Sequence, residues 1–248
     1  MRKPVISAML AAIVPLTCLA QGALAKAALK TTLAPPSKPP VLYDFKGVPL
    51  EISIEDFRKL PHPDGKASKV VCTGEKIEKF KGYSSEPTDV MLFDGTESSL
   101  GVKRCVWIDT VGVGDIAFGK GDTAILSLAN SGYGSYHYSF SFIKDPKDGV
   151  MRLYRYSGTT NVAAYGKIVE GLAGKWGPPA VSKGTVQNKI GNSFDQETAI
   201  WSNPLGSIVV QTRWNKIDDM NILMEDTRLA KIVSDAKAAK DAAKPNAI

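Results

Sequence analysis

Two histidines and three cysteines are all that 248 residues hold of imidazole and thiol side chains. A cysteine-rich zinc site is therefore out of reach, and without a C-x-x-C pair a thioredoxin-like redox role has no basis. No Gly-x-Ser-x-Gly occurs, so the strand–turn–helix elbow that presents a hydrolase serine is missing. Charge of one sign is scarce: 31 Lys and Arg stand against 25 Asp and Glu, a net +6. The two signs are interspersed, with no basic run beside an aromatic platform, which argues against a nucleic-acid partner. Only one long apolar run exists. It lies at the N-terminus and is shorter than the ~20 residues a membrane span needs, so a membrane-embedded chain is not expected.

That apolar run is an address. Arg2-Lys3 forms a positive n-region, Val5 to Ala20 is almost wholly apolar, and Ala23-Leu24-Ala25 offers small residues for a signal peptidase. Residues 1–25 are thus read as a signal peptide and Lys26 as the start of a periplasmic or secreted chain, with no transmembrane segment after cleavage. Cys18 lacks the Leu and the small residue that should precede a lipidated cysteine. Loss of Arg2 and Lys3 lowers the charge from +6 to +4 and leaves Cys72 and Cys105. An even pair in an exported chain predicts one disulfide. Closing a loop of about 33 residues would stabilise the fold by ~3–4 kcal/mol, and it requires a Cα separation of roughly 4.4–6.8 Å.

Residues 26–40 (KAALKTTLAPPSKPP) have little to bury and read as a flexible linker. A single domain is expected over 41–242, or alternatively two lobes at about 41–130 and 131–242, followed by a disordered tail at 243–248. Leu42–Phe45 reads as a strand. Ser53 caps a short helix, Ile54–Leu60, with Asp56 in the capping-box place. Strands are expected at Lys69–Cys72, Thr88–Phe93 (closed by the hairpin dipeptide Asp94-Gly95), Gly101–Asp109, Ile116–Phe118 and Thr123–Leu128. Tyr136, Tyr138, Phe140 and Phe142 alternate with Ser135, His137, Ser139 and Ser141. With Asp145–Gly149 as turn, 135–156 reads as an antiparallel hairpin, and Met151–Tyr156 alternates throughout.

A helix over 161–176 places Val162, Tyr165, Ile168, Val169, Leu172 and Trp176 on one stripe. Gly177 suits a positive-φ ending and Pro178-Pro179 prevents continuation. Two strands follow, around Glu197–Trp201 and Ser207–Trp214, joined by a turn at 203–206. One more strand is expected at Met220–Met224, and then a helix capped by Asp226 or Thr227 with Leu229, Ile232, Val233 and Ala236 inward. The aromatic stripe, Trp201 and Trp214 are assigned to the core. Leu42–Gly47 parallels Leu153–Gly158, which would follow from two divergent β-α-β-β units, with chance similarity as the rival.

The constellations that could carry chemistry are thin. Gly114–Gly121 matches a phosphate-binding loop up to Lys120, but Gly121 stands where the Mg²⁺-holding hydroxyl belongs. The acidic turns at 94–97 and 145–149 lack the alternating ligands of a calcium loop. Neither metal nor cofactor is expected. Ser135 and His137 lie two apart on one face of a strand, so their side chains could approach as part of a hydrolase site, although a triad needs a third group. His62, between two prolines, reads as a loop residue.

Gly47–Pro61 (GVPLEISIEDFRKLP), Lys69–Gly74 and the run from Tyr165 through Trp176-Gly177-Pro178 resemble small exported periplasmic domains of Gram-negative bacteria. The resemblance implies export and an α+β fold and assigns no residue a role. The reading is an α+β domain, mostly antiparallel sheet with two or three helices packed on one face. Its leading function is non-enzymatic binding of an envelope component or another envelope protein. The alternatives are an envelope hydrolase assembled around Ser135 and His137, and a structural or inhibitory partner of a secreted enzyme. Whether the chain is an enzyme stays open on the sequence.

Overall fold

A computed structural model describes residues 40–75, 95–111, 121–128, 134–135 and 137–243. The expected signal peptide, most of the linker, the Thr88–Phe93 strand, Asp94, the 114–120 loop with its Ile116–Phe118 strand, Tyr136 and the last five residues lie outside them.

Alternating apolar residues make one antiparallel sheet of eight strands among the described residues. In chain order a two-stranded ribbon comes first, β1 (Asp44–Phe45) and β2 (Val48–Pro49), then α1 (Ile54–Phe57) and β3 (Ser68–Cys72). There follow α2 (Gly95–Ser98), β4 (Lys103–Asp109), β5 (Leu126–Ser127), β6 (Gly134–Ser135), β7 (His137–Lys144) and β8 (Met151–Asn161). The turn Val162–Ala164 leads into α3 (Tyr165–Trp176), then β9 (Ala180–Gln187), β10 (Ser193–Asn203), β11 (Gly206–Thr212), β12 (Asp219–Asp226) and α4 (Thr227–Ala242). The sheet runs β3-β4-β7-β8-β12-β11-β10-β9, and β5 pairs with β6 separately. β4 pairs antiparallel with β7.

Several local expectations hold. Ser53 Oγ accepts the Asp56 N–H at 3.0 Å and donates to Asp56 Oδ2 at 2.8 Å, although the helix it caps ends at Phe57. Gly177 has φ +84° and its N–H donates to Ala173 O at 2.9 Å. Its ψ of −179° lies beyond the left-handed helical region, in space open essentially to glycine alone. Asp226 caps α4, accepting the Leu229 N–H at 2.7 Å. Cys72 and Cys105 are directly opposite on β3 and β4, with sulfurs 2.01 Å apart, at disulfide distance. The neighbouring Thr73 N–H donates to Arg104 O at 2.8 Å, so the cysteines form a non-hydrogen-bonded pair. In such pairs the backbones approach most closely, which accounts for a Cα separation of 4.0 Å, just under the expected range.

The hairpin of β7 and β8 forms, but its alternation breaks. Ser141 pairs with Arg155 and Phe142 with Leu153, so Tyr154 is one residue extra. Leu153 and Tyr156 therefore share one core cluster, and Tyr154 joins another with Val102, Ile143, Leu229 and Val233. Strict alternation would have put Tyr154 and Tyr156 on the same face. Residues of α1 and α3 pack in the large cluster, whereas Leu229 and Val233 of α4 pack with Ile143 and Tyr154 on the other side. Helices thus cover both faces rather than one.

The large cluster centres on Phe57, whose ring lies 4.9 Å from those of Trp107 and Phe140 and 5.3 Å from Phe142. Trp201 joins it, and its Nε1–H donates to Gly177 O at 2.7 Å. Trp214 does not. It follows Arg213, whose φ of +57° turns the chain out of β11, and it is 49% exposed. Gly95 opens a helix where a hairpin turn was expected. The two segments that suggested duplication also part company: 42–47 contributes to the separate ribbon, and 153–158 lies in the middle of the sheet.

Candidate functional site

The residues singled out by chemistry are not assembled. Ser135 is buried, and its hydroxyl is engaged by the carbonyls of Thr159 (2.8 Å) and His137 (3.1 Å). It meets the backbone of His137, while the His137 side chain is exposed. No described residue gives that imidazole a hydrogen bond or an ion pair, so this geometry supplies no nucleophile–base pair of the kind hydrolysis requires. His62 lies in the loop between α1 and β3, as expected, and is buried there. Its ring packs edge-on to Trp107 with centroids 5.4 Å apart, and Nδ1 accepts the Asp64 N–H at 3.1 Å. Among the described residues no group of three or more His, Cys, Asp or Glu could hold a metal ion. No helix among them is long and apolar enough to cross a membrane.

What the fold does create is a cleft of about 280 Å³, open to solvent, between the β1–β2 ribbon and α3. Helical spacing builds one wall: Ile168, Gly171, Leu172 and Lys175 fall at i, i+3, i+4 and i+7, which is one face of α3. Gly171 widens that wall because it has no side chain. Phe45 forms the opposite wall, held by stacking on Tyr156 with ring centroids 3.7 Å apart. Leu128 and Ile222 complete the apolar lining.

The polar rim follows from a tight turn. Lys46 and Gly47 join β1 to β2 with φ of +52° and +82°, the double positive φ of a type I′ hairpin. Positive φ is uncommon for lysine. Asp44 Oδ1 supports the turn by accepting the Gly47 N–H at 3.0 Å, and it also receives Lys175 Nζ at 2.5 Å. Lys46 Nζ donates to Ser127 O at 2.9 Å and forms an ion pair with Asp64. Burial alone would raise the Asp64 carboxyl. The Lys46 ammonium and the Ser127 N–H, which donates to Oδ2 at 2.7 Å, outweigh it and hold the group below the usual carboxylate range. Lys175 also lies over the Trp176 ring, 4.8 Å from its centroid. The cleft can therefore hold an apolar group beside ordered charges.

None of Lys46, Gly171 and Lys175 was singled out by sequence reasoning. The available signals were the Lys-Gly turn between two short strands and the glycine within the apolar stripe of α3. No family model matches the chain, and neither a curated protein nor a solved structure shows significant similarity to it.

Proposed function

We propose that this is an exported, non-enzymatic binding protein of the cell envelope, and that the cleft between the β1–β2 ribbon and α3 is where it binds. The cleft carries the reading: five apolar side chains line it, and its charged rim is already tied into ion pairs. Apolar concavities with a few placed polar groups are the common form of small-ligand sites. The signal-like N-terminus and the resemblance of 47–61, 69–74 and 165–178 to exported periplasmic domains support the location. The cysteine pair at disulfide distance is in keeping with an oxidising compartment.

Titration with phenylnaphthylamine, a neutral apolar fluorophore, tests the cleft. The protein gives saturable enhancement, and Leu172→Arg, which sets a charge in the wall, abolishes it while the thermal transition persists. An enhancement that never saturates, or that survives Leu172→Arg, rules out the cleft as the binding site. N-terminal sequencing of the protein recovered from the envelope fraction tests export and should begin at Lys26.

A further inference from the structure

We infer that the cleft selects an aliphatic monocarboxylate, with its apolar body on Phe45, Leu128, Ile168, Leu172 and Ile222 and its carboxylate between Lys46 and Lys175. The inference rests on the cleft being the binding site and adds the class of ligand. Two lysines and one carboxylate, Asp44, line the cleft, so the lining is net positive by one charge. The counter-ion of Lys46 is Asp64, which does not line it. A cation would meet two ammonium groups, and a second negative charge on the ligand would meet Asp44. A single negative charge matches.

The donors are available. Each ammonium has three hydrogens. Lys46 commits two, to Asp64 and to Ser127 O, and Lys175 commits one to Asp44. One donor of Lys46 and two of Lys175 therefore remain for a ligand. Lys46 is also held in place before any ligand arrives, by its two hydrogen bonds and the I′ turn. Ordering of that side chain then costs little on binding. Lys175 lines the cleft and is half-exposed. Hydrogen bonds to charged groups exceed those between neutral groups by enough to set head-group preference.

The experiment is isothermal titration of the purified protein with octanoate, octanol and octylamine, which share a chain and differ in head. Octanoate binds at one site, octanol about tenfold more weakly, and octylamine more weakly still. Lys175→Gln lowers octanoate affinity to the level of octanol, and Lys46→Gln does the same. If Lys46→Gln does not fold, Lys175→Gln carries the test, because its side chain is half-exposed on a helix surface. Octanol binding as tightly as octanoate, or octanoate affinity indifferent to both lysines, overturns the inference but leaves the apolar cleft standing. Saturable binding of phenylnaphthylamine without octanoate binding has the same meaning. Binding of neither probe overturns the ligand class and the binding site together.

Discussion

Arg155 Nη1 donates to Glu97 Oε1 at 2.6 Å, joining the middle of the sheet to a four-residue helix far away in sequence. The pair belongs to a chain of charges. Arg104 Nη2 reaches Glu97 Oε2 at 2.6 Å, and Arg155 Nε reaches Glu225 Oε1 at 2.6 Å. Glu97 is buried, and Arg155 also lies over the Tyr154 ring at 5.1 Å. The bulge at Tyr154 makes this possible, because it sends Tyr154 and Arg155 to the same side of the sheet.

Glu97→Gln should therefore destabilise the fold by about 1–3 kcal/mol, since the charged acceptor that Arg104 and Arg155 share becomes a neutral amide with a single acceptor oxygen. Partial exposure of both arginines keeps the figure from being larger. Arg155→Met should cost less, because Glu97 keeps Arg104. Urea unfolding of the two variants checks the order, and a larger loss in Arg155→Met would mean that Glu97 is not the centre of the network.

The link between Cys72 and Cys105 is set in the core, with both cysteines buried. Removing it by Cys72→Ala with Cys105→Ala should lower stability by about 3–4 kcal/mol, read as a lower urea midpoint. Titrating thiols in denatured, unreduced protein gives a second outcome. A chain that begins at Lys26 shows none, and one that retains residues 1–25 shows only Cys18. Two further thiols would show that the sulfurs are not joined.

Much of this was legible where one face of an element is buried. The stripe of α3, the glycine at its end, the β7–β8 hairpin and the Cys72–Cys105 pairing all leave a mark on the order of residues. β9 leaves none. Ala180–Gln187 is an edge strand exposed along nearly its whole length, so nothing requires apolar alternation and no strand was expected there. The bulge was hidden for another reason. Leu153, Tyr154 and Tyr156 are all fully buried, because helices cover both faces there, and burial on two sides erases the period. The cleft draws on 44–46, 127–128, 168–175 and 222, four segments whose meeting depends on the whole sheet order.

His62 predicts a pH response. Burial holds its imidazole below the ordinary value, assisted by Lys66 and Lys46 and opposed by Asp64 and Asp109. The unfolded chain then takes up a proton at higher pH than the native protein does. Stability is full above the unfolded value of ~6.5 and falls as pH drops below it, until the native imidazole is also protonated. Asp64, Asp145 and Asp148, all held low, add losses only below ~4. Asp226, raised by burial, acts in the opposite sense. The test is therefore a difference: between about pH 8 and 5.5 the wild type should lose more stability than His62→Gln. Equal slopes would remove His62 as the source.

Tyr156 and Gly158 make the sharpest case. The Tyr156 ring is fully buried and stacked on Phe45, and its hydroxyl finds no hydrogen-bond partner among the described residues. An unpaired buried hydroxyl costs on the order of 1–3 kcal/mol, so Tyr156→Phe should leave stability unchanged or raise it by about 1 kcal/mol. Gly158 stands two residues on, in the centre of the sheet between Tyr138 and Ile222. A Cβ there would lie 2.4 Å from Tyr156 Oη and 3.0 Å from Cζ. Because the stacked ring cannot swing away, Gly158→Ala alone should cost about 2–3 kcal/mol as overpacking. In the Tyr156→Phe background the closest clash is gone and the ring contacts at Cζ (3.0 Å) and Cε1 (3.4 Å) remain, so the same alanine should cost at least ~1 kcal/mol less, a coupling expected of residues in contact. Guanidinium unfolding of the four proteins measures it. Strict additivity would show that the glycine is required by its neighbours across the sheet and not by the tyrosine hydroxyl.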